Sequence, residues 1–432
     1  MMLEGMAPLI AFNSPLQLVF DNPSLVMMEL VSFFLFLMSC IHAQGSPRRT
    51  QLLLGGLVAF HTLLLGLGQV DPHVAITWHS QAIVMLFHRH VPLYLVLLHA
   101  SFYYLSVPSS FSDSSSHRRA YISTLKMHLH FSASIAAMGL ISLAVVLPAE
   151  IVGAKLIWWT WHDTDPTLVD RFLNVPIAVL ISHFVSASSF FLCHELFRSH
   201  WTPGFVYQLA ATHTEHAVVV GAILASIPTT LLHFGLAFQL LHDVVGLSSH
   251  TILGCLVVVS FQLIWSSDRR GHMEHALVPW HYDGEWHHAW YDHALLQALF
   301  LYLVVTPVLV LVLKPTHLVS LGYHQLLGDC TTTSSYTTVL GTTHTRFTYL
   351  CHRHYDEAFS FCGAPASQLH VHDPWYKICG VDYEATSFAH YLVVLVVANT
   401  CLVMLFRDIF SLARPAWVHR LPPRQQAATT KL

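Results

Sequence analysis

The chain has 432 residues, 54% of them apolar and 10% charged, with a mean hydropathy of +0.53; a soluble globule carries about a quarter charged residues, so an ordinary soluble protein is excluded. Twenty Lys and Arg stand against 24 Asp and Glu, a formal charge of −4, which leaves no basic field to hold nucleic acid. The composition predicts an all-α, polytopic membrane protein in contact with the lipid bilayer, with room for one small polar module.

An apolar helix needs about 20 residues to cross a ~30 Å hydrocarbon core. In chain order, nine stretches approach or reach that length: 25–43, 52–70, 91–107, 128–147, 175–196, 217–241, 252–265, 294–313 and 388–406. The first contains Glu29 and follows a segment with no basic residues, so no cleavable signal is expected and this span serves as the targeting signal. Glu29, His61, His183 and His233 lie inside spans, where polar groups are costly and face a cavity or a partner. Residues 109–116, rich in Ser, predict a flexible turn. Phe102, Tyr103, Tyr104, Trp158, Trp159, Trp161, Trp280, Trp286 and Trp290 crowd span ends, where aromatic rings favour the membrane interface.

After the fourth span come Glu150 and then the densest constellation of the chain. Trp158, Trp159, Thr160, Trp161, His162, Asp163, Thr164, Asp165 and Pro166 run together, followed by Asp170, Arg171, Val175 and Pro176. Three indoles anchor the segment at the interface in this reading. His162, Asp163 and Asp165 have the chemistry to bind a divalent metal or to act as a general acid and base. The structural alternative weighs more: Asp165 before Pro166 is a helix cap with Pro at the first helical position, Pro176 restarts the next helix, and Asp170 with Arg171 makes a rim ion pair.

Histidine is abundant, with 34 residues. His88 with His90, His213 with His216, and the six from His272 to His293 form clusters, and neutral imidazole is the commonest metal ligand. Di-iron desaturases use several boxes of paired histidines, whereas only His287 and His288 pair here. Haem needs inward histidines on facing helices, and His61, His99, His183, His194 and His233 qualify by position. The plainer alternative is that these are ordinary polar positions with no ligand.

Between the last two spans, residues 314–386 hold Cys330, Cys351, Cys362 and Cys379. Four cysteines confined to one loop read as two disulfides with three possible pairings, favoured over zinc because no CxxC pair is present. The Thr, Ser and Tyr content predicts a β-hairpin turning near Gly341. Cys40, Cys193, Cys255 and Cys401 read as small buried hydrophobes. The resulting division is a bundle of eight spans over 1–313, the Cys-rich loop, the last span over 387–410, and a flexible tail over 411–432. With the N-terminus outside, Arg48, Arg49, Arg118, Arg119, Lys126, Arg198, Arg269, Arg270 and the basic tail are cytosolic, which follows the Lys/Arg rule and places the disulfide loop in an oxidising compartment. An odd span count puts the C-terminus in the cytosol, as expected for a secretory-pathway or plasma membrane protein.

The string from Trp158 to Pro176 resembles the hallmark of a eukaryotic family of multi-pass membrane proteins known as a domain of unknown function. The resemblance extends to Glu29, Pro92–Leu93–Tyr94, Gly153, Leu241–His242–Asp243, Gly322–Tyr323–His324–Gln325, Gly328, Cys330, Tyr349–Leu350–Cys351 and Ile378–Cys379–Gly380. Ile177 and Ala178 stand where that family has aromatic residues after the Val-Pro. Glu150 with the aromatic-His-Asp segment is similar in layout to membrane carotenoid hydratases. Two function classes follow. The first is a non-enzymatic transporter, channel-like bundle or membrane-complex subunit, with protein partners or self-association. The second is a membrane-embedded enzyme acting on a lipid or isoprenoid, with His162, Asp163, Asp165 and Glu150 as candidate catalytic or metal residues and a divalent metal or haem as cofactor.

Overall fold

The computed structural model describes residues 8–44, 47–69, 75–106, 129–201, 212–274, 294–355, 358–364, 373–383 and 385–411. Among the described residues, eight helices are long and apolar enough to cross a membrane: Pro23–Ala43, Pro47–Leu67, Phe131–Lys155, Ile177–Trp201, His213–Val244, Ser249–Ser267, Ala294–Val312 and Ser387–Arg407. Each overlaps one of the expected runs. The remaining run, third in the chain, forms the helix Leu93–Ser106, which has 14 residues, about 21 Å at 1.5 Å per residue. That is short of the ~30 Å core. Every residue after Leu93 is buried, so this helix touches protein rather than hydrocarbon, and the length rule for a lipid-facing span does not bind it. The nine are called the first to ninth helix below. The six-histidine cluster from His272, the tryptophans Trp280, Trp286 and Trp290, the turn 109–116 and the tail beyond Ser411 lie outside the described residues or side chains.

The first helix starts where the sequence provides a cap. Asn22 Oδ1 accepts from the Leu25 amide at 3.3 Å, and Pro23 occupies the first position, where its missing N–H is no loss. The Asn22 amide also donates to the Leu156 carbonyl at 3.0 Å, and Trp158 Nε1 donates to Ser24 Oγ at 2.8 Å. The start of the first helix is thereby tied to the end of the fourth. Fourth and fifth helices run side by side because Gly139 has no Cβ: one built there would collide with Ser188 and Phe184 of the fifth helix. This close approach brings Glu150 opposite His183.

One end of the bundle carries a cap of short strands drawn from separate segments. Ile10–Phe12 pairs with Val84–Leu86, which pairs with Val91–Pro92. Thr77–His79 pairs with Trp159–Trp161, and Ser80 bridges to Gly322. Trp375–Gly380 lies between Val319–Tyr323 and Phe359–Ser360. The Cys-rich loop builds both of its sheets from its own strands and meets the neighbouring segments through the Ser80–Gly322 bridge. Its hairpin is as expected, Thr333–Thr337 against Thr343–Phe347, with Gly341 at φ +85° in the turn. The disulfides join Cys330 to Cys351 and Cys362 to Cys379.

Two further expectations need correction. Trp158, Trp159 and Trp161 are buried within the protein, at 0%, 5% and 4% exposure, and do not sit at a lipid interface. The reason is local: the Trp159 ring covers Gly153, where any Cβ would collide with it, and the strand of the motif is roofed by Thr77–His79. Cys193 is buried, but Cys255 and Cys401 are exposed on the outer faces of the seventh and ninth helices. Those faces also expose Val258, Val259, Phe261, Val393 and Val397, the pattern of a surface made for lipid.

Candidate metal centre

The Trp-His-Asp motif and the bundle core each gather histidines and carboxylates, and their geometry differs. In the motif, Asp165 is fully buried. Its Oδ1 accepts from the Thr167 amide at 3.0 Å, the Thr167 hydroxyl at 2.6 Å and the Tyr336 hydroxyl at 3.0 Å, and its Oδ2 accepts from Arg346 at 2.8 Å. Burial pushes its carboxyl up, but Thr167, Arg346 and Tyr336 together outweigh that and hold it below the usual carboxylate range. Asp165 caps the short turn Pro166–Leu168 and pins the hairpin of the Cys-rich loop.

His162 lies 3.2 Å from the Gln325 amide, which also accepts from the Asp163 backbone N–H at 2.9 Å. Burial, and then the positive charge of Arg346, push the His162 pKa down to about 3. A base that weak is neutral near pH 7 and takes up a proton poorly. Arg171 donates to the Leu168 carbonyl at 3.3 Å. Asp170 accepts from the Ser249 amide at 3.0 Å, at the start of the seventh helix; the Ser249 hydroxyl first, then that amide bond, and then His250 and His242 hold its carboxyl low despite burial. Pro176 directly precedes the fifth helix. The motif thus gathers beneath the Cys-rich loop, with the Asp165 and Asp170 carboxylates engaged in joining separate segments.

The bundle core differs. Glu150 of the fourth helix lies 2.8 Å from His183 Nε2 of the fifth. His99 of the buried third helix completes a group whose ligand atoms lie within 4.8 Å of one another. The His99 and His183 ring centroids are 5.2 Å apart. One small ion fits between such rings. Haem does not, because its axial histidines lie on opposite sides of the iron, more than about 6 Å apart with the macrocycle between them. His194 and His233, the other haem candidates, sit elsewhere: His194 Nδ1 is 3.2 Å from Glu195 and His233 Nδ1 is 2.8 Å from Ser189. A cation with two imidazoles and a carboxylate is of the transition-metal class, since Mg²⁺ and Ca²⁺ prefer oxygen-only shells.

Sequence reasoning singled out Glu150 and His183, and placed His99 among the inward histidines, yet grouped Glu150 with His162. What it missed was the joining of three helices. Tyr103 was assigned to an interface, and the structure buries it edge-on against His61 with centroids 4.4 Å apart. The signal available was periodicity, because His99 and Tyr103 are four residues apart and share a helix face.

No curated protein and no solved structure matches the chain. One family model does, over residues 7–412, and on that match the chain belongs to the family described as Domain of unknown function (DUF7802).

Proposed function

We propose that the protein binds a cation in the cap-side half of the bundle and works as a transport-type membrane protein, with His99, Glu150 and His183 as the ion-holding group. The observation that carries this reading is the 2.8 Å contact of His183 with Glu150, with His99 in ligand reach. Ionisable groups inside a membrane are costly, pair with one another, and mark ion or proton routes. In the accompanying topology the N-terminus and the cap are extracytosolic, the short third helix counts as a crossing, and the C-terminus is cytosolic. Two disulfides in the cap accord with an oxidising compartment.

A membrane-embedded enzyme acting on a lipid or isoprenoid is the second reading. Its support is the donor set, since two histidines and a glutamate hold catalytic zinc in soluble hydrolases with one position open to water. Flux separates the two. Purified protein in sealed vesicles is expected to pass Zn²⁺ or protons faster than empty vesicles, and Glu150→Gln is expected to abolish the difference. Ion binding without flux favours the enzyme.

A further inference from the structure

His61 lies on the second helix beside this group, and nothing described above employs it. Its Nδ1 is 2.8 Å from the Leu57 carbonyl oxygen. A carbonyl only accepts, so Nδ1 carries the ring proton and Nε2 presents a bare lone pair. The residue is 2% exposed, and Nε2 has no hydrogen-bond partner. A ligating histidine has this arrangement, with one nitrogen fixed by a backbone carbonyl and the other turned to the metal. The tautomer is set by an unusual backbone: a π-helical stretch, Gln51–Leu57, ends at the residue that accepts the bond, and such insertions recur at functional sites.

The ring geometry agrees. With metal–nitrogen bonds of about 2.0–2.1 Å and tetrahedral angles, two imidazole centroids on one ion lie about 5 Å apart. His61 and His99 are separated by 5.7 Å, and His99 and His183 by 5.2 Å. Tyr103 packs on His61 and reaches the His183 carbonyl at 3.3 Å, so it bridges the two helices that would supply ligands.

We propose that His61, whose ring borders His99 just outside the group of His99, Glu150 and His183, moves in as the fourth ligand of a zinc-class ion and closes a tetrahedral shell of three imidazoles and the Glu150 carboxylate. The proposal rests on the ion-holding reading above and names its ion. Such a shell selects Zn²⁺ and its borderline neighbours over Mg²⁺ and Ca²⁺. It leaves no open position for a hydrolytic water.

The test is X-ray absorption at the zinc edge on untagged, purified full-length protein loaded with Zn²⁺ alone. The doubly substituted His99→Gln/His183→Gln protein serves to subtract zinc held by other histidines. The expected result is one subtracted zinc per chain with three imidazoles and one oxygen. In His61→Gln the shell drops to two imidazoles, and affinity falls at least the 10–100-fold already typical of outer-shell partners. A wild-type shell of two imidazoles, unchanged in His61→Gln, overturns the fourth ligand and leaves the ion-holding group standing. No subtracted zinc in the wild type overturns both.

Discussion

The cap and the core each contain histidines beside a buried carboxylate, and the two carboxylates serve different ends. Asp165 receives four hydrogen bonds, among them one from Arg346, and joins the motif to the hairpin. Glu150 meets two imidazoles and has no arginine or lysine among its described contacts. A buried carboxylate answered by arginine is a structural tie, whereas one answered only by imidazoles has the donor chemistry of a metal ligand. The densest motif in the sequence is therefore the tie, and the sparser residues on separate helices make the site in the function proposed above.

Acid should break the comparison most strongly. His79, His162 and His324 are each pushed down to about 3 from an ordinary 6.5, with burial the largest cause in every case. The unfolded imidazole takes a proton that the buried one refuses, so cap stability is full above about pH 6.5 and is lost as pH falls toward 3. With up to three protons involved, the slope approaches about 4 kcal/mol per pH unit. Asp165 works in the same direction only lower, since its stabilisation is full above the ordinary carboxylate value and fades beneath it. Tryptophan fluorescence from the buried motif should change over this range while the helical circular dichroism of the bundle persists. Simultaneous loss of both signals would contradict a separable cap.

Asp165→Asn comes next in size. As a cap alone, Asn would serve about as well as Asp. The ion pair with Arg346, whose side chain is 3% exposed, changes the expectation, because removing one charge of a buried pair costs about 3–5 kcal/mol. Thermal unfolding measures it, and a wild-type midpoint would reduce Asp165 to a simple cap.

Much of this fold was legible in the sequence, for identifiable reasons. The eight described helices long and apolar enough to cross a membrane follow from apolar runs, because the hydrocarbon thickness sets the length to look for. The third run forms a shorter apolar helix, Leu93–Ser106, which is enclosed by protein and escapes that constraint. The cap was opaque, since strands of two to six residues from separated segments carry no period long enough to register. Four cysteines in one loop announced two disulfides but left the pairing open among three. His99, Glu150 and His183 were each visible as polar residues in or beside spans. Their meeting was not, because periodicity gives the face of a helix and not the helix that it faces.

Replacing Cys330 and Cys351 together by Ser is expected to cost about 3 kcal/mol through loop closure, read as a lower cap unfolding midpoint under non-reducing conditions. Zinc binding in the core should be unaffected, and a parallel loss there would mean that cap and core fold as one. The smallest stability effect is expected from Glu150→Gln. Its amide keeps a hydrogen bond to His183, so the change should stay within about 1 kcal/mol.

The central claim is that the core holds the ion and the cap does not. Calorimetric titration of Zn²⁺ into purified wild-type, Asp165→Asn and Glu150→Gln proteins tests it most directly, with each binding curve corrected by that of His99→Gln/His183→Gln. The account predicts one corrected site in the wild type, the same site at similar affinity in Asp165→Asn despite its lower melting temperature, and none in a folded Glu150→Gln. Equal binding by wild type and Glu150→Gln, with loss confined to Asp165→Asn, would contradict it and return the site to the motif.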